Sequence, residues 1–170
     1  MTSMPDNKDF LDLLEQHKKI IFKVCNSYCK DPDSRKDLTQ EIVIQLWKSF
    51  RKYDAQYKIS TWMYRIALNV AISFYRREKK YTSTASLAES TLPFVDDTTS
   101  SYDMESDIAQ LHRFIDQLDE LHKALMILYL DNNSYKDISE VLGITETNVA
   151  TKINRIKQKL KHQFEIIKSK

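Results

Sequence analysis

An all-α protein built as two small helical modules is what this sequence predicts, and three observations carry the prediction. Residues that interrupt helices are scarce, with one glycine and three prolines in 170 residues. Apolar residues recur at three- and four-residue intervals rather than alternating. The formal net charge of only +2 conceals blocks: nine Lys/Arg against two acids over 48–80, six acids and no Lys/Arg over 81–107, and seven Lys/Arg against one acid over 152–170. Two basic modules separated by an acidic spacer point to two contacts with a polyanion.

The first helix is expected from Asp9 to about Lys30, with Phe10, Leu13, Leu14, Ile20, Ile21, Val24 and Tyr28 on its apolar stripe. Lys30-Asp-Pro-Asp-Ser34 breaks that pattern, because proline cannot continue a helix. A second helix follows over about Arg35 to Phe50, with Leu38, Ile42, Leu46 and Phe50 inward. Residues 51–59 form a polar and aromatic loop. Ser60 is expected to cap a third helix, Thr61 to about Lys80, with Ile66, Val70 and Phe74 inward. These three helices make one packed module over 9–80. Residues 81–105 are crowded with Ser, Thr and acids and read as a flexible acidic linker, in which a satellite helix around Ser86 to Leu92 is conceivable. The second module spans 106–167. It begins with helices over about Ser106 to Leu118, with Ile108, Leu111, Ile115 and Leu118 inward, and about Glu120 to Leu130.

Several function classes are excluded at this level. No apolar run approaches the ~18–20 residues that span a bilayer. The polar N-terminus lacks a signal-peptide apolar core. The expectation is a cytoplasmic protein without membrane insertion. Cys25 and Cys29 lie one helical turn apart and could join His17 in a metal site, but no fourth ligand has suitable spacing; buried thiols are expected. His17, His112, His122 and His162 are scattered, and no glycine-rich phosphate loop exists. No catalytic residue, metal or cofactor is therefore assigned, and the protein is not expected to be an enzyme.

The chain's single glycine, Gly143, lies between two short helical patterns in a segment that reads as a helix-turn-helix. A sharp turn after a helix needs a left-handed residue, which glycine supplies without a Cβ penalty. Ser134 can cap the helix carrying Ile138, Val141 and Leu142. Thr145 can cap the next, with Val149, Ile153, Ile156 and Leu160 inward. The second helix of such a motif places its N-terminal residues in the DNA major groove. With that stripe inward, Glu146, Thr147, Asn148, Thr151, Lys152 and Arg155 face out.

Two other constellations stand out. On the second helix Asp37, Gln40, Glu41 and Gln45 share a polar face at i, i+3, i+4 and i+8. An acidic, amide-bearing face on a basic module suits a basic protein surface better than DNA; taken alone, it reads as an ordinary solvated face. Farther on, Phe50, Tyr53, Tyr57, Trp62, Tyr64, Phe74 and Tyr75 interleave with Arg51, Lys52, Lys58, Arg65, Arg76 and Arg77. Rings that stack on bases beside cations that meet phosphates are what single-stranded DNA binding requires. Phe50 and Phe74 are the aromatics best placed to be core instead.

Asp37-Leu-Thr-Gln-Glu41, Tyr57-Lys-Ile-Ser-Thr-Trp-Met-Tyr-Arg65 and the helix-turn-helix, in that order, resemble the bacterial sigma-70 family of RNA polymerase sigma factors. More narrowly, the chain resembles the short extracytoplasmic-function (ECF) type, which keeps only regions 2 and 4. The resemblance covers nearly the whole chain apart from the linker and the extreme N-terminus. It implies a factor that binds core RNA polymerase and directs transcription initiation, with no chemistry of its own. It assigns Asp37, Gln40 and Glu41 to the clamp coiled coil of the polymerase β′ subunit, and implies the β flap as a further polymerase contact. It implies that the aromatic and basic region recognises and melts the promoter −10 element, with Trp62 at the melting edge; Asn69, Ser73, Arg76 and Arg77, on one side of the third helix, are the candidate DNA contacts. It implies −35 reading by the second helix of the helix-turn-helix, where Thr151, Lys152 and Arg155 match its contacting positions; Thr147 and Asn148 join them as outward residues able to make adaptable contacts. Lys152 stands where family members often carry arginine, and lysine lacks the planar fork that reads guanine bidentately. An anti-sigma factor is implied as a further partner.

The linker has its own arithmetic. About 25 residues of relaxed coil span roughly 25–30 Å. Promoter elements about 23–25 base pairs apart lie roughly 75–85 Å apart along B-DNA. The linker must therefore extend when both elements are held. Its acids are expected to avoid DNA and follow the positive path of nascent RNA, so charge reversal at Asp96, Asp97 and Asp103 should alter abortive initiation. Two other functions compete with this one. A stand-alone helix-turn-helix regulator would usually dimerise, yet no dimerisation helix is evident. A structural adaptor leaves the charge blocks unexplained.

Overall fold

The computed structural model describes residues 6–85 and 103–170, apart from the side chains of 82–85 and 103–105. Among the described residues there are seven α-helices and no strand. No helix among them is long and apolar enough to cross a membrane.

The first three helices, α1 (Asn7–Tyr28), α2 (Pro32–Phe50) and α3 (Ile59–Ala85), pack on one another. α1 kinks at His17, whose φ of −116° and ψ of 16° are not helical. Pro32 starts α2 rather than interrupting the chain before Arg35. At the first helical position its missing N–H costs nothing, and Asp31 caps the helix by accepting from the Ser34 N–H at 2.9 Å. Leu38, Ile42 and Leu46 are fully buried beneath α3.

α3 begins at Ile59, so Ser60 lies inside the helix rather than capping it. It also continues past Lys80 to Ala85. Its core residues are Met63, Tyr64, Ala67, Leu68, Ala71 and Phe74, whereas Ile66 and Val70 are only half-buried. The apolar arc is displaced because α3 is covered on two sides, by α1 and α2 and by α5 and α6.

The second unit comprises α4 (Asp103–Asp116), α5 (Glu120–Leu130), α6 (Tyr135–Leu142) and α7 (Glu146–Lys168). α5 is buried along consecutive residues from Lys123 to Leu128 and touches α1, α3, α4, α6 and α7. A helix apolar on every side belongs at the centre of a bundle. α4 starts earlier than expected and leaves Ile108 half exposed, while Ile115 is buried and Leu111 and Leu118 are partly so. The expected linker thus loses 81–85 to α3 and 103–105 to α4. Its remainder, 86–102, including the conceivable helix at 86–92, lies outside the described residues.

The two units share one continuous core and are stitched by polar contacts. The Asp131 carboxylate accepts from the Tyr64 hydroxyl and pairs with Lys23. The Tyr28 hydroxyl donates to the Glu120 carbonyl oxygen at 2.7 Å. Lys58 pairs with Asp137 at 3.1 Å, Arg76 with Glu120 at 3.4 Å and Lys30 with Asp116 at 3.4 Å. The buried Lys123 ammonium lies 5.5 Å from the centroid of the Tyr28 ring and 5.6 Å from that of Tyr75, and donates to the Ser27 carbonyl oxygen at 3.2 Å.

Candidate nucleic-acid interface

Three surfaces carry the expected functional residues. The first is on α2. Leu38, Ile42 and Leu46 bind this helix to the core, which turns Asp37 and Gln40 fully outward and leaves Glu41 half-exposed. One Arg77 nitrogen, Nη2, donates to both Glu41 oxygens, at 2.7 and 3.0 Å. Ile44 and Trp47 continue the same face one and two turns after Gln40, and are 50% and 41% exposed. Sequence reading missed them. Their signal was two apolar residues off the inward stripe.

The second surface follows α3. Trp62, Asn69, Ser73 and Arg76 fall on one helical stripe. Asn69, Ser73 and Arg76 are exposed. Trp62 is half-buried against Tyr53 and Phe50, at 5.1 and 6.3 Å between ring centroids, and Phe50 leads on to Phe10 and Trp47. The aromatic set expected for base stacking therefore divides. Tyr57 is 55% exposed, whereas Tyr64 is fully buried beneath Asp131. Burial, and then the Asp131 carboxylate, push the Tyr64 hydroxyl far above the ordinary phenol range. Phe74 is buried as expected, while Phe50 is only partly so. Arg65 was outside the expected contact set, but it is exposed on the stripe one turn after Trp62. Arg76 already holds Glu120.

The third surface is the helix-turn-helix, and its local chemistry forms as expected. Ser134 accepts from the Asp137 N–H and Thr145 from the Asn148 N–H, both at 3.1 Å. Gly143 has φ +69° and ψ 31° and closes α6 by donating to the Ser139 carbonyl oxygen at 2.9 Å. Val149, Ile153 and Ile156 are buried. Thr147, Asn148, Thr151 and Arg155 are consequently exposed and Lys152 half-exposed. The Thr151 hydroxyl donates back to the Thr147 carbonyl oxygen at 2.9 Å. Neither Lys152 nor Arg155 has an ion-pair partner among the described residues. The Lys157 ammonium lies 4.4 Å from the Tyr129 ring centroid, and its contact with Tyr129 raises its pKa.

These surfaces differ in how their charges are used. The cations Lys58, Arg76 and Arg77 all have acidic partners within the chain. At Asp137 burial opposes ionisation, but the Lys58 ammonium and the Ser134 hydroxyl outweigh it and hold the carboxyl below its ordinary value. Cys25 and Cys29 are buried thiols, and among the described residues no group of His, Cys, Asp and Glu could hold a metal ion. Burial also lowers the Lys123 pKa.

Residues 13–81 match the family model for sigma-70 region 2, and residues 108–160 match that for sigma-70, region 4. The chain is 27% identical to the ECF RNA polymerase sigma factor SigW of Bacillus subtilis, covering 94% of this chain and 90% of that one. It is 29% identical to the RNA polymerase sigma-H factor of Pseudomonas aeruginosa, covering 88% and 82%. Two solved structures share the fold, each with a TM-score of 0.68. One is CnrH in complex with the cytosolic domain of CnrY, 17% identical and covering 95% of this chain and 90% of that one. The other is the sigma factor RpoE in complex with the anti-sigma factor NepR from Bartonella quintana, 16% identical and covering 94% and 98%.

Proposed function

Because the chain belongs to the sigma-70 family of RNA polymerase sigma factors, in its ECF group, we propose that polymerase docking, promoter melting and −35 reading divide among the three surfaces described above. As a sigma factor it binds core RNA polymerase and directs transcription initiation. Sigma factors are non-catalytic, and bond formation belongs to the polymerase. A stand-alone regulator is the less favoured account, since the matching relatives are sigma factors.

The observation that carries the division is the outward face of α2. Asp37, Gln40 and Glu41 form an acidic patch extended by exposed Ile44 and Trp47, which fits a basic helical protein surface with apolar residues, as the β′ clamp would supply. On α3, Trp62 with Asn69, Ser73 and Arg76 captures the −10 element. Unpaired bases stack on exposed rings while cations hold phosphates, so melting needs no ATP. On α7, Thr147, Asn148, Thr151, Lys152 and Arg155 read the −35 element in the major groove, with Arg155 as the bidentate guanine reader. The apolar groove of about 600 Å³ between α4 and the end of α7, lined by Leu111, Leu160 and Phe164, receives the β flap.

The protein acts in the cytoplasm, where polymerase and promoter are. An anti-sigma factor silences it by covering the same surfaces, as the anti-sigma partner of the solved RpoE relative suggests. The stitched modules add a requirement. With promoter elements roughly 75–85 Å apart, the Tyr64–Asp131 and Lys58–Asp137 contacts must break before both elements are held. Polymerase, binding each module separately, supplies that free energy.

The test is co-purification with bacterial core RNA polymerase, comparing the wild type with a Gln40→Ala/Glu41→Lys variant. Retention of the wild type and loss of the variant supports the docking assignment. Failure of a well-folded wild type to bind would remove the reading altogether.

A further inference from the structure

Arg77 was placed with the −10 contacts because it shares one side of the third helix with Asn69, Ser73 and Arg76. In the structure it stands at the edge of that stripe. A helix advances about 100° per residue, so Arg77 lies between the Asn69–Ser73 stripe and the side that carries Phe74 and Tyr81. Its guanidinium turns towards that second side. It grips Glu41 by donating from one nitrogen to both carboxylate oxygens and rests against the ring of buried Phe74, with the ring centroid 5.6 Å away. Glu41 and Arg77, with Gln40, Ile44, Phe74 and Tyr81, line one open concavity of about 400 Å³. Tyr81 is 81% exposed and Ile44 50% exposed at its edges.

We infer that Arg77 is a positioning residue of the polymerase-docking surface, holding the Glu41 carboxylate in its docking rotamer, and is not a −10 contact. This rests on the assignment of the α2 face to polymerase. The argument is one of preorganisation. A glutamate on a helix surface samples several rotamers, and fixing it on binding costs affinity. Arg77 fixes it beforehand. It does so without consuming the group, since 41% of the Glu41 side chain stays exposed and a carboxylate has lone pairs for further donors. The guanidinium is itself fixed, by Phe74 beneath it. Its neighbour Arg76 points to Glu120, in the other unit, and is exposed on the DNA stripe. Adjacent arginines thus serve different surfaces.

The test is a double-mutant cycle on the full chain, read as affinity for core polymerase, with DNA binding measured separately. Arg77→Ala is expected to weaken polymerase binding by about two- to tenfold, the cost of immobilising one long side chain. Glu41→Ala is expected to weaken it more. In the Glu41→Ala background Arg77→Ala should cost nothing further, because the group it positions is gone. Arg77→Lys should rescue only in part, since lysine loses the flat guanidinium that rests against Phe74. At saturating polymerase, Arg77→Ala should bind a −10 single-stranded oligonucleotide like wild type, whereas Arg76→Ala should bind it less well. Additive losses in the cycle, tighter polymerase binding by Arg77→Ala, or an oligonucleotide defect confined to Arg77→Ala would each overturn the inference. If Glu41→Ala itself leaves polymerase binding intact, the docking assignment fails rather than the role of Arg77 within it.

Discussion

Replacing Gly143 with alanine isolates one backbone term. At φ +69° and ψ 31° an L-residue is held in the left-handed region, which costs roughly 1–2 kcal/mol. Alanine also restricts the unfolded chain, which returns roughly 0.4–1 kcal/mol. A Cβ built at Gly143 meets no atom within 4 Å, so no steric clash adds to the strain. The difference is a net loss of about 1 kcal/mol. For a chain of this size that lowers Tm by about 2–4 °C. Urea unfolding followed by circular dichroism measures it directly, as a lower midpoint at unchanged slope. Gly143→Asn should cost less than Gly143→Ala, since asparagine visits the left-handed region more readily. Asn132, already left-handed at φ +60°, is the internal control, and Asn132→Gly should be nearly neutral. A loss above about 3 kcal/mol would require a contact that the open space around Gly143 denies. No loss, or asparagine costing more than alanine, would refute the backbone argument.

Three further outcomes are expected. Arg155→Ala should weaken holoenzyme binding to a −35 duplex by about 1–3 kcal/mol and relax base preference at one position, whereas Lys161→Ala should weaken all sequences alike; competition against altered duplexes separates the two. Tyr64→Phe/Asp131→Ala removes the buried hydroxyl together with its acceptor, so it should loosen the two helical units, and small-angle scattering should report a larger radius of gyration; an unchanged radius would show that apolar contact alone holds them. The lowered Asp137 pKa ties docking to acidity. A depressed carboxylate contributes above its ordinary value of 3.8 and ceases to as pH falls through its own lower value. The docked form should therefore be constant from neutrality to about pH 5 and loosen below about pH 4, with Asp137→Asn removing part of that transition.

Much of this was legible beforehand because local chemistry decided it. The Ser134 and Thr145 caps, the left-handed Gly143 and the α7 stripe depend on neighbours within one or two turns. So does the outward set Thr147, Asn148, Thr151, Lys152 and Arg155. What escaped depends on tertiary contact. Tyr64 looks like a stacking aromatic until α5 brings Asp131 over it. Ile66 and Val70 read as core because α3 was assumed to be covered on one side, whereas two layers cover it. Pro32 was read as a terminator although the same ring, one position inside a helix, is a starter. Arg77 stands on the edge of its expected stripe, and only the approach of α2 determines which way it turns.

The two cysteines have a practical consequence. Both lie in or at the end of α1, and α4–α7 contain none. Burial raises the Cys25 thiol, against which the Thr39 hydroxyl donates at 3.3 Å, and pushes Cys29 up to about 11. At neutral pH only about one Cys29 in ten thousand is thiolate, the form that oxidants and alkylating reagents attack. Folded protein should thus be chemically silent towards them. Labelling would then report the opening of the first three helices and, at Cys29, of their contact with Asp116 and Lys123 of the second unit.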